Sequence, residues 1–308
     1  MLRRKAYEKL LDAAKQKNAG IFVDGARQVG KTYILKKLQE ECFTNNFYVN
    51  VLTDIDAFNL LRKSTSAPDF YLRLSYLFPK IVNENSSIFI DEIQAFYDKD
   101  NPNKDIEDEK IFDIITLSKQ LVIDYPNKFI FSGSLLGFVA NNVVSWPIGY
   151  VYTLRMYPLD FEEFCWALNK NESIFAMLKE SFKSKTPVAD FINDEYLQLF
   201  NEYCLIGGMP EAVKAYAENN NLKYVEMAHS KIEDFIKHDI ATYAPMNQKI
   251  HIKEIYSLIP SELNSKNKRF QLKQIKSSFR GEDMTTPFEW IKTAGVAIPV
   301  YNVTEPKI

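Results

Sequence analysis

"GARQVGKT", residues 25–32, stands between the short apolar run "IFVD" (21–24) and a segment with helical periodicity over residues 31–40. The pattern G-x-x-x-x-G-K-[ST] has a physical reading. Gly25 and Gly30 admit backbone angles that turn successive N–H groups inward, which makes an anion nest at a helix N-terminus. Lys31 then reaches the β and γ phosphates of a nucleoside triphosphate, and the Thr32 hydroxyl completes a Mg2+ shell. A strand before and a helix after are the context the motif demands. The expected nucleotide-binding residues are Gly25, Ala26, Arg27, Gln28, Val29, Gly30, Lys31, Thr32 and Tyr33.

Such a loop needs an acid to hold the metal, and "SSIFIDEIQAF" (86–96) supplies Asp91 at the end of an apolar strand. Metal ligands are therefore expected at Thr32 and Asp91, the carboxylate acting through water. Glu92, directly after the metal acid, is placed to polarise an attacking water as general base. "FSGS" (131–134) sets Ser132 and Ser134 at the end of a later strand, where a hydroxyl can contact the γ phosphate or the water. The alternative is that both serines cap the following turn. Ser134 joins Lys31 and Glu92 as the expected catalytic set. Arg155 and Arg280 are candidate cationic fingers, against the alternative of surface or packing arginines. "NKNE" (169–172) lacks the final Asp of the guanine-reading N-K-x-D motif, so ATP with Mg2+ is the expected ligand pair.

Working outward, β-branched or aromatic runs recur at 20–24, 47–51, 87–91, 128–133 and 150–154, with helical patterns between them at 31–40, 68–82 and 108–123. Alternation of this kind predicts an α/β fold with a mainly parallel sheet, and with the motif at 25–32 a P-loop NTPase. The run "FYVNV" between the P-loop helix and the Asp91 strand suggests a strand inserted between the two phosphate-site strands. Residues 98–109 read as an exposed loop, and the uncharged stretch 129–154 as two buried strands with a loop between them. Helical periodicity then dominates from about 162 to 243. After 247, three helical patterns, "HIKEIYSLIPSEL", "LKQIKSSF" and "TTPFEWIKTAG", lead into the extended run "VAIPVYNVT". The predicted organisation is a P-loop ATPase core (1–165), a helical lid (166–246) and a winged-helix-like domain (247–308).

Composition narrows the classes. The chain has 308 residues, 46% of them hydrophobic, with a formal net charge of -2, so no global field marks it as a nucleic-acid coat or a membrane-surface protein. The N-terminal "MLRRKAYEKLLDAAKQK" is an amphipathic charged helix, not a signal peptide. Cys42, Cys165 and Cys204 show no metal or disulfide spacing, and a cytoplasmic location with no membrane contact is the expectation. His238 beside Asp239 reads as structural. Glu162 and Glu163 point about 100° apart on a helix and flank an aromatic stripe of Phe161 and Phe164.

Six stretches, "GARQVGKTYIL", "IFIDEIQ", "FSGSLLGF", "YPLDFEEF", "LIGGMPEAV" and "IPSELNSKNKRFQ", resemble the bacterial and archaeal AAA-type ATP-binding proteins that carry a C-terminal domain of unknown function with a nuclease-like fold. The resemblance implies an AAA+-like core, a helical lid and a winged helix, with ATPase roles at Lys31, Thr32, Asp91 and Glu92. Tyr150 departs from the pattern, since many relatives carry a basic residue there. Such proteins usually continue past "VYNVTEPKI", so the chain resembles a truncated form whose apolar "AIPVYNV" strand lacks a return strand and offers an edge for self-association. Two functions follow. In one, an ATPase engages DNA through Lys266, Lys268, Arg269, Lys273, Lys276 and Arg280, a cluster that a solvated surface explains equally well. In the other, a nucleotide-dependent switch or scaffold serves a protein partner with little or no turnover. A small-molecule kinase lacks a visible arginine-rich lid.

Overall fold

The computed structural model describes residues 2–16, 19–83, 86–97, 113–134, 145–265, 270 and 285–301. Five parallel strands form one sheet: β1 (Gly20–Gly25), β2 (Asn46–Asn50), β3 (Ser87–Asp91), β4 (Lys128–Gly133) and β5 (Val151–Met156), in the order β2-β3-β4-β1-β5. Side chains alternate across a strand, so each apolar run feeds two cores. Ile21, Val23, Phe89 and Ile130 pack under α1 (Lys5–Lys15) and α2 (Lys31–Cys42). Phe22, Ile88, Ile90, Phe129 and Phe131 pack on the other face with α3 (Ile55–Leu61), α4 (Ala67–Leu77) and α5 (Ile114–Asp124). Asp54, Ser66 and Asp113 cap these last three helices by accepting from the backbone N–H three residues on, which fixes where each helix starts.

The strands lie within two residues of their predicted bounds, and the expected strand inserted between the two phosphate-site strands β1 and β3 is present: it is β4, while β2, "NFYVN", pairs β3 at the sheet edge. Two details differ. The helix expected over 68–82 stops at Leu77 and continues as a 3-10 turn at Pro79–Asn83, because proline lacks the N–H that an α-helix would use. Of the two strands expected to be buried, only β4 is; β5 is the other edge, with Leu154 and Met156 turned inward. The loop at 98–109 and the part of the predicted helix before residue 113 lie outside the described residues.

Beyond the sheet come α6 (Phe161–Ala167), α7 (Ser173–Ser184), α8 (Asp190–Ile206), α9 (Pro210–Asn219) and α10 (Leu222–Tyr243), which share a core of Phe164, Phe175, Tyr196, Ala212, Val213 and Val225. A further cluster joins Ile240 on α10 to α11 (Lys249–Asn264) and α12 (Thr285–Thr293) through Ile252, Ile255, Trp290 and Ile291. "LKQIKSSF" and the whole basic cluster from Lys266 to Arg280 lie outside the described residues. Residues 297–301 pair with no strand, and Ile298, Val300 and Tyr301 are exposed, so the extended run is not a strand as far as it is described.

The two motifs "YPLDFEEF" and "LIGGMPEAV" meet through their backbones. Leu159 N–H donates to the Gly208 carbonyl at 2.6 Å, and Tyr203 Oη donates to the Leu159 carbonyl at 2.8 Å. A Cβ on Gly208 would lie 2.1 Å from the Leu159 carbonyl oxygen. Arg4 closes the joint from the N-terminus. Its guanidinium, on a residue 6% exposed, donates to Val29 O (2.7 Å) and Tyr157 O (2.6 Å) and pairs with the buried Glu163 (3.3 Å). Glu163 also closes a capping box with Asp160, so it is a structural carboxylate. Substituting Gly208→Ala is expected to lower unfolding free energy by about 1–3 kcal/mol, the usual cost of overpacking, measured by urea denaturation.

Candidate functional site

The carboxyl ends of the parallel strands gather the sequence-predicted residues at one edge of the sheet, where open α/β sheets bind their ligands. Gly25 ends β1 at φ 152°, and a Cβ there would lie 2.4 Å from the Met156 carbonyl oxygen, so only glycine lets the loop leave the sheet beside β5. Gln28 and Gly30 also have positive φ, 62° and 95°, and Gly30 is the N-cap of α2. The loop therefore delivers the free N–H groups of α2 to one point.

Lys31 is 5% exposed and its Nζ donates to Gly25 O (3.0 Å) and Ala26 O (2.9 Å). Burial pushes its ammonium below the usual lysine range, opposed by the charges of Glu92, Asp24 and Asp91. An anion at the loop would offset that desolvation. Thr32 Oγ1 donates to Asp91 Oδ2 at 2.8 Å. The same oxygen accepts from Tyr48 Oη (2.5 Å) and Asn50 Nδ2 (3.4 Å), while Oδ1 accepts from the Glu92 N–H (3.0 Å) and the Ser132 hydroxyl. Burial, then the Asp91 charge, drive the Tyr48 phenol far above its ordinary range, so it remains a donor. The Thr32 hydroxyl and the Asp91 carboxylate offer oxygen ligands, which suit Mg2+. Among the described residues no group of three or more His, Cys, Asp or Glu forms a metal cage, so phosphate and water oxygens would complete the shell.

Glu92 sits in the left-handed region at φ 62°, a conformation that costs a non-glycine residue about 1–2 kcal/mol. The turn it makes starts the 3-10 segment Ile93–Tyr97. Gln94 Nε2 donates to Glu92 Oε2, and Gln94 Oε1 accepts the Ser134 N–H at 3.1 Å. The two serines are thus distinguished. Ser132 spends its hydroxyl on Asp91, whereas the buried Ser134 Oγ has no partner among the described residues. Ser134 also lines a cavity of about 260 Å3, together with Ala26, Arg27, Asp239, Trp290 and Gly295.

Arg27 reaches out of the loop to α10. Its Nε lies 2.9 Å from Asp239 Oδ2, its Nη2 donates to Tyr243 Oη at 3.0 Å, and its guanidinium stacks 5.3 Å over the Tyr243 ring. His238 and Asp239 form no dyad, since Asp239 faces Arg27 and His238 Nε2 lies 3.4 Å from Thr242 Oγ1. Arg155 is paired at 4.0 Å with Asp24, its neighbour in register across β1 and β5, and donates to the Lys292 carbonyl at 3.5 Å. Arg280 lies outside the described residues. On the other side of Gly30, a cavity of about 850 Å3 is lined by Arg4, Tyr33, Trp166, Pro210 and Lys214. The buried Tyr33 hydroxyl and Trp166 indole N–H have no hydrogen-bond partner among the described residues. A third cavity, of about 820 Å3, lies at the amino-terminal edge of the sheet beside Gly20, Ser87 and Lys128, where no predicted site residue falls.

With this geometry in place, comparison with known proteins covers just under half of the chain with an informative family. Residues 17–165 match the family model of an AAA domain. The sheet half is similar to an AAA-type P-loop domain. Residues 197–308 match a domain of unknown function whose description assigns neither a winged helix nor a nuclease fold. No curated protein matches the chain. A solved structure, the Walker-type ATPase of Pyrococcus abyssi, superposes with a TM-score of 0.54 at 14% identity, over 96% of this chain and 90% of that one, which shows a shared fold. No helix among the described residues is long and apolar enough to cross a membrane.

Sequence reading missed Arg4, Tyr48, Asn50, Gln94 and the Arg27–Asp239 pair, all of which act across distances in sequence or through partners that no local spacing signals. One consequence is measurable. Burial raises the Asp239 carboxyl to about 6, opposed by Arg27 and His238, with Glu92 raising it and Lys31 lowering it. A raised carboxyl binds protons more tightly when folded, so its stabilising effect is full at acid pH and is lost as pH climbs through about 4 to 6. Asp239→Asn is therefore expected to gain stability relative to the natural protein on going from pH 4 to pH 7, read from urea midpoints across that range.

Proposed function

We propose that the protein is a Mg2+-dependent ATPase in which nucleotide state at the P-loop sets the position of a helical lid, α6 to α10. The observation that carries this reading is the Thr32 hydroxyl held 2.8 Å from the Asp91 carboxylate, beside a buried Lys31 and with Glu92 next in the chain. In this reading the α2 N-terminus and residues Gly25 to Thr32 hold the phosphates, and Tyr33 borders the base. Lys31 contacts the β and γ oxygens, while Thr32 and Asp91 hold the metal. Mg2+ would neutralise charge on the phosphates. Glu92 takes a proton from water as the water oxygen bonds to the γ phosphorus and the bond to the β–γ bridging oxygen breaks, leaving ADP and phosphate. Ser134, whose hydroxyl has no partner among the described residues, is placed for the γ phosphate. The cavity bordered by Tyr33, Trp166 and Pro210 adjoins the loop on the side where a base would extend, and its two donors without a partner among the described residues suit the ring nitrogens of adenine.

The Arg27–Asp239–Tyr243 contact supports a second reading in which turnover is slow and the protein works as a switch. A triphosphate competes for the same guanidinium that α10 holds, so loading the loop would loosen α10. The residues after 247, read as a winged-helix-like unit, would then engage DNA or a protein. Assembly of α11 and α12 in one cluster is compatible with that unit.

The test is steady-state MgATP hydrolysis and ATP binding, each with and without duplex DNA. Lys31→Ala is expected to lose binding. Glu92→Gln is expected to keep binding and to lose turnover by about 10²- to 10⁴-fold, the usual contribution of a positioned base. Natural protein that binds MgATP without hydrolysing it selects the switch, and stimulation by duplex DNA identifies the partner class.

A further inference from the structure

Resting on the ATPase reading, we infer that Gln94 is a positioning residue that ties the general base Glu92 to the carboxyl end of β4 by bridging its carboxylate to the Ser134 N–H. Gln94 is 3% exposed, and the orientation of its amide is not free. The Ser134 N–H is a donor and demands the amide oxygen, which accepts it at 3.1 Å. The amide NH2 must therefore face the other way, where it donates to Glu92 Oε2. One carboxylate oxygen is thereby fixed by a donor that cannot accept a proton, and the base is oriented through its second oxygen.

The bridge also answers a local problem. Glu92 starts from a left-handed backbone, φ 62°, at the point where β3 ends, and its N–H is already committed to Asp91 Oδ1 at 3.0 Å. Its backbone is fixed by the metal acid and its carboxylate by Gln94. Glu92 is thus held between Asp91 and Ser134, the two residues that face metal and γ phosphate in the proposed reaction. A shift of the β4 end, whether by ligand at Ser134 or by substitution, passes through one side chain to the base. The 3-10 turn Ile93–Tyr97 makes this reach feasible, because it folds Gln94 back toward the residue two positions before it.

The experiment compares natural protein, Gln94→Met, Glu92→Gln and the double variant, reading kcat, KM and ATP affinity, with thermal melting as a check on folding. Methionine keeps the length of the side chain and removes both hydrogen bonds. Gln94→Met is expected to lower kcat by about 10- to 100-fold, the scale of a misplaced catalytic group, with KM and affinity within about twofold. Adding it to Glu92→Gln is expected to change kcat by less than about twofold, because a residue that acts only through Glu92 has nothing left to position. A Gln94→Met kcat within about threefold of natural, or losses that multiply in the double variant, overturns the inference. A readout independent of turnover separates this from the ATPase reading itself. In NMR spectra the Ser134 amide and the Gln94 side-chain NH2 resonances are expected to move in Glu92→Gln, and the Ser134 amide in Gln94→Met. If natural protein hydrolyses nothing while these signals respond, the bridge stands and the ATPase reading fails; unmoved signals sink the bridge whatever the turnover.

Discussion

Arg4 is the only side chain among the described residues that touches the start of α1, the P-loop, the exit of β5 and the cap of α6 together, through Val29 O, Tyr157 O and Glu163. Its partner carboxylate also accepts the Lys5 N–H at 2.6 Å, so the N-terminus of α1 is fixed by the same group. Exposed pairs such as Arg3 with Glu172 or Lys15 with Asp12 contribute about 0–1 kcal/mol. Breaking a buried pair by removing one partner costs about 3–5 kcal/mol, since the remaining charge is left without compensation. The difference identifies Arg4–Glu163 as the contact that fixes where the helical half sits on the nucleotide-binding half. The P-loop is thereby held from outside by Arg4 at Val29 and by Asp239 at Arg27.

Asp91 plays the corresponding role inside the site. Five groups from β2, α2, β4 and its own successor converge on its two oxygens. A carboxylate so fully hydrogen-bonded keeps one orientation, and the groups around it inherit that order. Tyr48 and Asn50 matter because they bring the edge strand β2 into the metal side of the site, and Asn50 Oδ1 also accepts from the Leu52 and Thr53 N–H groups to turn the chain there. The strand that leads away from the P-loop helix thus returns to support it.

Much of this was legible in residues 25–32 and 87–91, where chemistry and secondary structure constrain the same few positions. The strands were readable because each is a short apolar run, and the central β1, β3 and β4 are buried on both faces. An inserted strand was readable too, but not which strand it is, since only tertiary pairing decides whether β2 or β4 lies beside β1. The helix α3 escaped notice because seven residues are too few for a periodic pattern to stand out, even with Asp54 as its cap. Glu163 reads from sequence as one of two adjacent acids; its capping box and its pairing with a residue 159 positions away are invisible until the chain is folded. Gln94 lay within a quoted motif, yet its partners are set by a left-handed turn and by the end of another strand.

The strand order carries a consequence for synthesis. β1 hydrogen-bonds only to β4 and β5, whose residues begin at Lys128 and Val151. As the chain leaves the ribosome, the one strand pair that can form before β4 is made is β2 with β3, and it lies apart from β1, whose neighbours are β4 and β5. The P-loop segment, made first, waits more than a hundred residues for the neighbours that shape it. Contacts so distant in sequence make folding slow and leave apolar strands exposed meanwhile. Nascent chains ending before Gly133 therefore lack the complete strand that pairs with β1 on one side.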